Sequence, residues 1–73
     1  MKFYKILKEL RLEKGVRQTD LAKELNVVQT TISDYEAGIS EPSIQSLIKI
    51  ANYFDVTIDC LVGRVDEFGN KIT

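Results

Sequence analysis

The chain contains no histidine and no tryptophan, and only one cysteine and one proline. Without His it lacks the commonest acid–base group of neutral pH and the commonest nitrogen ligand for metals. Cys60 has no second cysteine to pair with, which excludes an internal disulfide and a thiolate zinc site and fits a reducing, cytoplasmic setting. The four glycines, at 15, 38, 63 and 69, build neither a GxGxxG nor a GxxxxGK phosphate loop. No apolar run approaches the roughly 18 residues that a membrane span needs. The opening Met1-Lys2-Phe3-Tyr4-Lys5 has no apolar signal core. Taken together, these absences leave little from which to assemble a catalytic site, and no enzyme, cofactor, metal or membrane association is expected.

What is present describes one small domain. At 73 residues there is no room for a second, and a chain of this size buries only about 60% of its unfolded surface, so self-association would help. With 44% apolar and 29% charged residues, the composition is too hydrophobic for a disordered chain. The net charge of −1 argues mildly against a nucleic-acid partner, but its distribution is uneven. Residues 1–17 sum to +4, residues 18–42 to −4 and residues 43–73 to −1. The first stretch is either a solvated helix face or a positive edge suited to phosphates.

Periodicity predicts five helices and no strand. Phe3, Ile6, Leu7 and Leu10 recur at helical spacing over 2–14, and Gly15 stops the helix after Lys14. Residues 18–25 form a second helix with Leu21, Ala22 and Leu25 inward, broken at Asn26, which tolerates the left-handed conformation. A third helix covers 29–37 with Ile32 and Tyr35 one turn apart, and Gly38 ends it; Tyr35 is expected in the core. After the loop through Glu41 and Pro42, a fourth helix opens at Pro42 or Ser43 and runs to Phe54. Its expected apolar set is Ile44, Leu47, Ile48, Ile50, Ala51 and Phe54. A short fifth helix is capped by Thr57 and ends at Gly63. Residues 64–73 have no periodicity and are expected to be a tail or an arm for dimerisation, leaving 1–63 as the domain.

The informative spacing lies in 18–37. Leu21, Leu25, Val27, Ile32 and Tyr35 would let two short helices cross steeply and share one core. Ala22 is small where the second helix passes closest, and Asn26 makes the sharp turn. This is a helix-turn-helix, whose second helix projects from the body and fits a major groove.

At this point the sequence resembles the Cro/CI-type (Xre) helix-turn-helix proteins, over residues 3–63. Leu10-Arg11, Lys14-Gly15, Gln18, Leu21-Ala22, Leu25, Val27, Thr31-Ile32-Ser33, Tyr35-Glu36, Gly38, Pro42-Ser43, Leu47 through Ala51, Phe54, Val56 and Leu61-Val62-Gly63 carry the likeness. The resemblance implies an all-α, compact five-helix fold of the phage-repressor (lambda-repressor-like) type, and regulation of transcription as a homodimer on a palindromic operator in double-stranded DNA. It implies base contacts from Val28, Gln29, Thr30, Ser33 and Asp34 on helix 3. Phosphate contacts would come from Arg17 and Gln18 and from the backbone amides around Gly38, Ile39 and Ser40. Arg11 and Glu36 match a pair that forms a buried salt bridge in family members. Ile58, Cys60, Leu61 and Val65 lie near the end where related domains dimerise, though some of them must fill the monomer core.

Several positions depart from the family pattern. Arg17 stands where Thr or Ser often caps helix 2, and forfeits a cap worth about 1 kcal/mol. Val28 stands where Ser often caps helix 3, but offers a methyl-bearing surface to thymine. Asn26 replaces the usual turn glycine. Asp34 replaces a basic or amide residue, and its carboxylate repels phosphate unless it accepts from cytosine. The expected function is a sequence-specific DNA-binding regulator, most simply a repressor. Alternatives are an antitoxin that binds both DNA and a toxin, or a protein-interaction module without DNA binding; a protein antagonist is a further expected partner, because no ligand-sensing domain fits in the last ten residues.

Overall fold

In the computed structural model, which describes residues 2–63, the chain is all-α among the described residues. The helices are α1 (Phe3–Lys14), α2 (Gln18–Leu25), α3 (Gln29–Ala37), α4 (Ile44–Phe54) and α5 (Ile58–Leu61). The tail expected at 64–73, with its interface residue Val65, lies outside the described residues.

In α1 the buried face is Phe3, Leu7 and Arg11, at successive four-residue steps, so a charged residue continues an apolar stripe. Phe3 meets Tyr35 of α3 edge to face, with ring centroids 6.0 Å apart. Tyr35 is thus a core residue, only 7% exposed. Leu21, Ala22 and Leu25 of α2, Ile32 of α3, Ile50 and Ala51 of α4 and Leu61 of α5 complete one core. α3 packs on both α1 and α2, while α5 bridges α4 and α1. At Gly63 a Cβ would lie 3.5 Å from Ile6 Cδ1 and Lys2 Cβ, so the end of α5 comes back against the start of α1.

The stops of α1 to α4 share one device. Gly15, Asn26, Gly38 and Asp55 all adopt left-handed φ between 55° and 76°, and each turns its amide back onto the last carbonyls of its helix. Asp55 was not foreseen as such a stop. It follows an apolar helix with no Gly or Asn at its end, and Asp is among the few other residues that tolerate this region. At the other end of α4, Ser43 is the N-cap and accepts from Ser46 N–H, which places Pro42 in the loop.

Two members of the expected apolar set of α4 are turned outward. Ile44 is 75% exposed and Ile48 is 45% exposed. They lie one turn apart, and Ile50 and Ala51 take the inward positions instead. Ile44 and Ile48 stand at the edge of the apolar stripe, next to the polar side formed by Gln45, Lys49 and Asn52, so they fall outside the contact with the core.

Candidate nucleic-acid interface

The turn between α2 and α3 is closed from both sides. Asn26 (φ 57°, ψ 45°) reverses the chain, and Val27 N–H donates to Ala22 O at 2.9 Å. Val28, in extended conformation, then starts α3 without a side-chain cap. This geometry brings the first residues of α2 and α3 side by side. Gln29 Nε2 donates to Gln18 Oε1 at 2.6 Å. Gln18 Nε2 donates in turn to Glu36 Oε1 at 3.1 Å.

Glu36 is fixed from behind. Arg11 donates to it through Nε (2.6 Å, to Oε2) and Nη2 (3.0 Å, to Oε1), and Arg11 Nη1 donates to Val16 O at 3.0 Å. The side chains of Arg11 and Glu36 are only 11% and 5% exposed, so the expected buried pair is present and ties α1 to α3. The hydrogen bond from Arg11 to Glu36, and their mutual attraction, hold the guanidinium above its ordinary pKa against the opposing effect of desolvation. A chain of hydrogen bonds therefore runs from the buried salt bridge through Gln18 to the exposed start of α3.

The inventory of unused groups on this chain is chemically specific. Gln29 spends one N–H on Gln18 and keeps one N–H and its carbonyl oxygen, a donor–acceptor pair that matches the N7 and N6 edge of adenine. Gln18 keeps one N–H, suited to a phosphate oxygen. Val28 and Thr30 flank Gln29 on the exposed surface, Val28 at 69% exposure, while Ser33 and Asp34 are half-buried one turn further along. The expected base-contact residues thus run from the cap of α3 to its middle, and of these Val28, Gln29 and Thr30 are exposed.

The phosphate set is corrected in part. The amides of Gly38, Ile39 and Ser40 are already committed within the protein. Gly38 N–H donates to Tyr35 O at 3.3 Å, and Ile39 and Ser40 N–H donate to Asp34 O at 3.0 and 3.4 Å. The Gly38 turn that ends α3 uses these donors to satisfy its last carbonyls, so they are not free anion donors as the sequence suggested. Gly38 is instead covered by Tyr4, whose ring would lie 3.6 Å from a Cβ there.

At Arg17 the missing cap is partly replaced. The side chain supplies none, as expected, but Asp20 reaches back and accepts Arg17 N–H at 2.9 Å, closing half of a capping box. The same carboxylate accepts from Arg17 Nε and Nη2, both at 3.2 Å. The Arg17 guanidinium holds Asp20 below the usual carboxylate range, through these side-chain and backbone hydrogen bonds.

One residue was missed. Lys8 lines, with Arg11, Gln18, Ser33, Glu36 and Ala37, an open cleft of about 290 Å³ beside the glutamine pair. Its position one turn before Arg11 was the available signal, since i and i+3 share a helix face. At the expected dimer end, Leu61 has no exposed surface and belongs to the monomer core, which corrects its place in the interface. Ile58 is 39% exposed and Cys60 half-buried. Among the described residues, no group of three or more Asp, Glu or Cys gathers to hold a metal, and no helix is long and apolar enough to cross a membrane.

Two short helices that share a core across a tight turn, the second starting in an exposed polar surface, define a helix-turn-helix domain. The chain belongs to the Xre-type helix-turn-helix family: the family model described as "Helix-turn-helix" matches residues 7–59. This is a family of DNA-binding transcriptional regulators and not of enzymes. The chain is 35% identical to the HTH-type transcriptional regulator ImmR of Bacillus subtilis over 71 residues, 97% of this chain and 55% of that protein. Among solved structures it resembles a transcriptional regulator from Listeria innocua, with TM-score 0.83 and 40% identity over 89% of this chain and 61% of that one. It also resembles SinR, a Bacillus subtilis protein named as the master regulator for biofilm formation. For the SinR structure in complex with DNA, the TM-score is 0.75 and the identity 31%, over 82% of this chain and 97% of that one. The chain spans about half the length of the curated relatives ImmR and DdrOP3.

Proposed function

We propose that the chain binds double-stranded DNA sequence-specifically as a homodimer on a palindromic operator, with α3 in the major groove, and represses transcription by covering a promoter. The observation that carries this reading is the Gln29–Gln18 hydrogen bond. It presents a donor–acceptor pair for a base on α3 and, beside it, a donor for the phosphate on α2, both fixed to the buried Arg11–Glu36 pair. The likeness to a regulator solved on DNA supports the same docking.

Size and symmetry support homodimerisation. A single short α3 offers few base contacts, and a two-fold pair would set two such helices about 34–36 Å apart, one turn of DNA. Ile58 and Cys60 are the candidates for that contact. In this mechanism Thr30, Ser33 and Val28 tune the neighbouring bases, and Asp34 accepts from cytosine.

The test is selection of bound sequences from a random duplex pool, followed by a salt titration on the best site. The reading expects a palindrome with half-site centres about 10 bp apart and a log K that falls linearly with log[salt]. Gln29→Ala should relax one base position by about 1–3 kcal/mol, whereas Gln18→Ala should weaken all sites alike. No enrichment and no binding at low salt would overturn the reading and direct attention to a protein partner.

A further inference from the structure

The Arg17–Asp20 pair sits at the start of α2, next to Gln18, on the edge where the proposed DNA phosphate path runs. Arg17 is the obvious cation of this edge, with its side chain 79% exposed, yet it is not free. Its Nε and Nη2 donate to the two oxygens of Asp20 in a side-on arrangement. That is one of the two edges by which a guanidinium grips a phosphate with two bonds, and the one that includes Nε. The Asp20 carboxylate is held in turn by the Arg17 backbone amide, so it cannot swing away without uncapping the helix.

We propose that Asp20 restrains Arg17, so that this cation does not contribute to sequence-independent attraction for DNA. The inference rests on the DNA-binding reading above and deepens it: Asp20 sets how much of the binding is unspecific. A phosphate can take the side-on edge of Arg17 only by displacing a carboxylate that then stays beside it, like charge against like. Lys23, one turn along α2, is the other cation acting on Asp20 and adds to its retention in charged form. Glu36, the nearest buried carboxylate of the site, is engaged by Arg11 and Gln18 and takes no part in the exchange. The specific complex is then left to depend on what Gln29, Gln18 and α3 recognise.

The experiment compares Asp20→Asn with the unaltered chain on two duplexes: one of random sequence and the best site from the selection. Asparagine keeps an oxygen for the Arg17 amide while removing the charge, and thermal melting without DNA checks that the fold is retained. On random duplex, Asp20→Asn is expected to bind about 3- to 10-fold tighter at low salt, with log K falling more steeply against log[salt] by about 0.9 per subunit engaged. Adding Arg17→Gln should return both quantities to the starting values, and Arg17→Gln alone should leave the slope nearly unchanged. A slope unaltered by Asp20→Asn, in a chain that does bind DNA, would overturn the inference and leave the DNA reading standing. A steeper slope that persists in the double variant would overturn it too, because the charge would then act without Arg17. If neither protein binds either duplex, the DNA reading fails and the inference falls with it.

Discussion

The starts of α2 and α3 differ from the starts of α4 and α5. Ser43 Oγ accepts from Ser46 N–H at 3.2 Å, and Thr57 Oγ1 accepts from Cys60 N–H at 3.0 Å, so α4 and α5 each open with a side-chain cap. The N-cap positions of α2 and α3 are Arg17 and Val28, neither of which caps through its side chain. α1, which opens at Lys2, also lacks a side-chain cap, but α2 and α3 are the uncapped helices whose first residues form the candidate DNA edge. An N-cap oxygen would compete there for the helix amides and positive end-field that favour an approaching phosphate. At the candidate DNA edge a hydrogen-bond chain anchored on Arg11 and Glu36 positions side chains, whereas the caps of α4 and α5 satisfy backbone amides.

The largest effect should come from breaking that anchor. Arg11→Met or Glu36→Gln leaves a buried charge without its partner and should cost about 3–5 kcal/mol in chemical denaturation. The double replacement Arg11→Met with Glu36→Leu should recover much of that stability, since apolar side chains of similar volume often replace buried pairs at little cost. It should not recover DNA affinity, because Gln18 loses its acceptor. Recovery of both would mean that the chain of bonds does not organise the edge.

Next in size are the caps. Ser43→Ala should cost about 1 kcal/mol of stability and leave any DNA affinity measured at low temperature unchanged. Val28→Ser runs the opposite way: a restored cap should stabilise by up to about 1 kcal/mol while changing the base preference beside Gln29. Equal effects of both substitutions on DNA binding would erase the distinction between the two sets of helix starts.

The smallest effect concerns pH. Asp20 titrates below the usual carboxylate range in the folded chain, so its contribution to stability is fully present above the unfolded value near 3.8 and is lost as pH falls through the lower folded value. With no histidine in the chain, no imidazole adds a transition near neutrality. Urea midpoints measured down to acid pH should therefore show the Asp20-dependent part, defined against Asp20→Asn, only below about pH 4.

Much of this was legible in the sequence because it is local. The bounds of α2 and α3 follow from helical spacing and from Asn26 and Gly38, whose left-handed φ of 57° and 76° depends mainly on residue type. Arg11 and Glu36 were legible as a pair only through the family resemblance, since 25 residues separate them. The amides of Gly38, Ile39 and Ser40 were misassigned because sequence does not say whether a turn closes onto its own helix. Lys8 was missed because its place one turn before Arg11 points to the cleft beside Gln18 only once Arg11 is known to face α3.

The helices, their stops at Gly15, Asn26 and Gly38, the residue types at the edge and the i,i+3 pairing of Arg17 with Asp20 are local, because backbone preference and periodicity act over a few neighbours. The packing of the helices settles that Leu61 belongs to the core, that Ile44 and Ile48 face outward and that Gln29 leans on Gln18. Those outcomes depend on how five helices share one core and on which polar groups are left facing each other once they do, and neither is encoded within a single turn of helix.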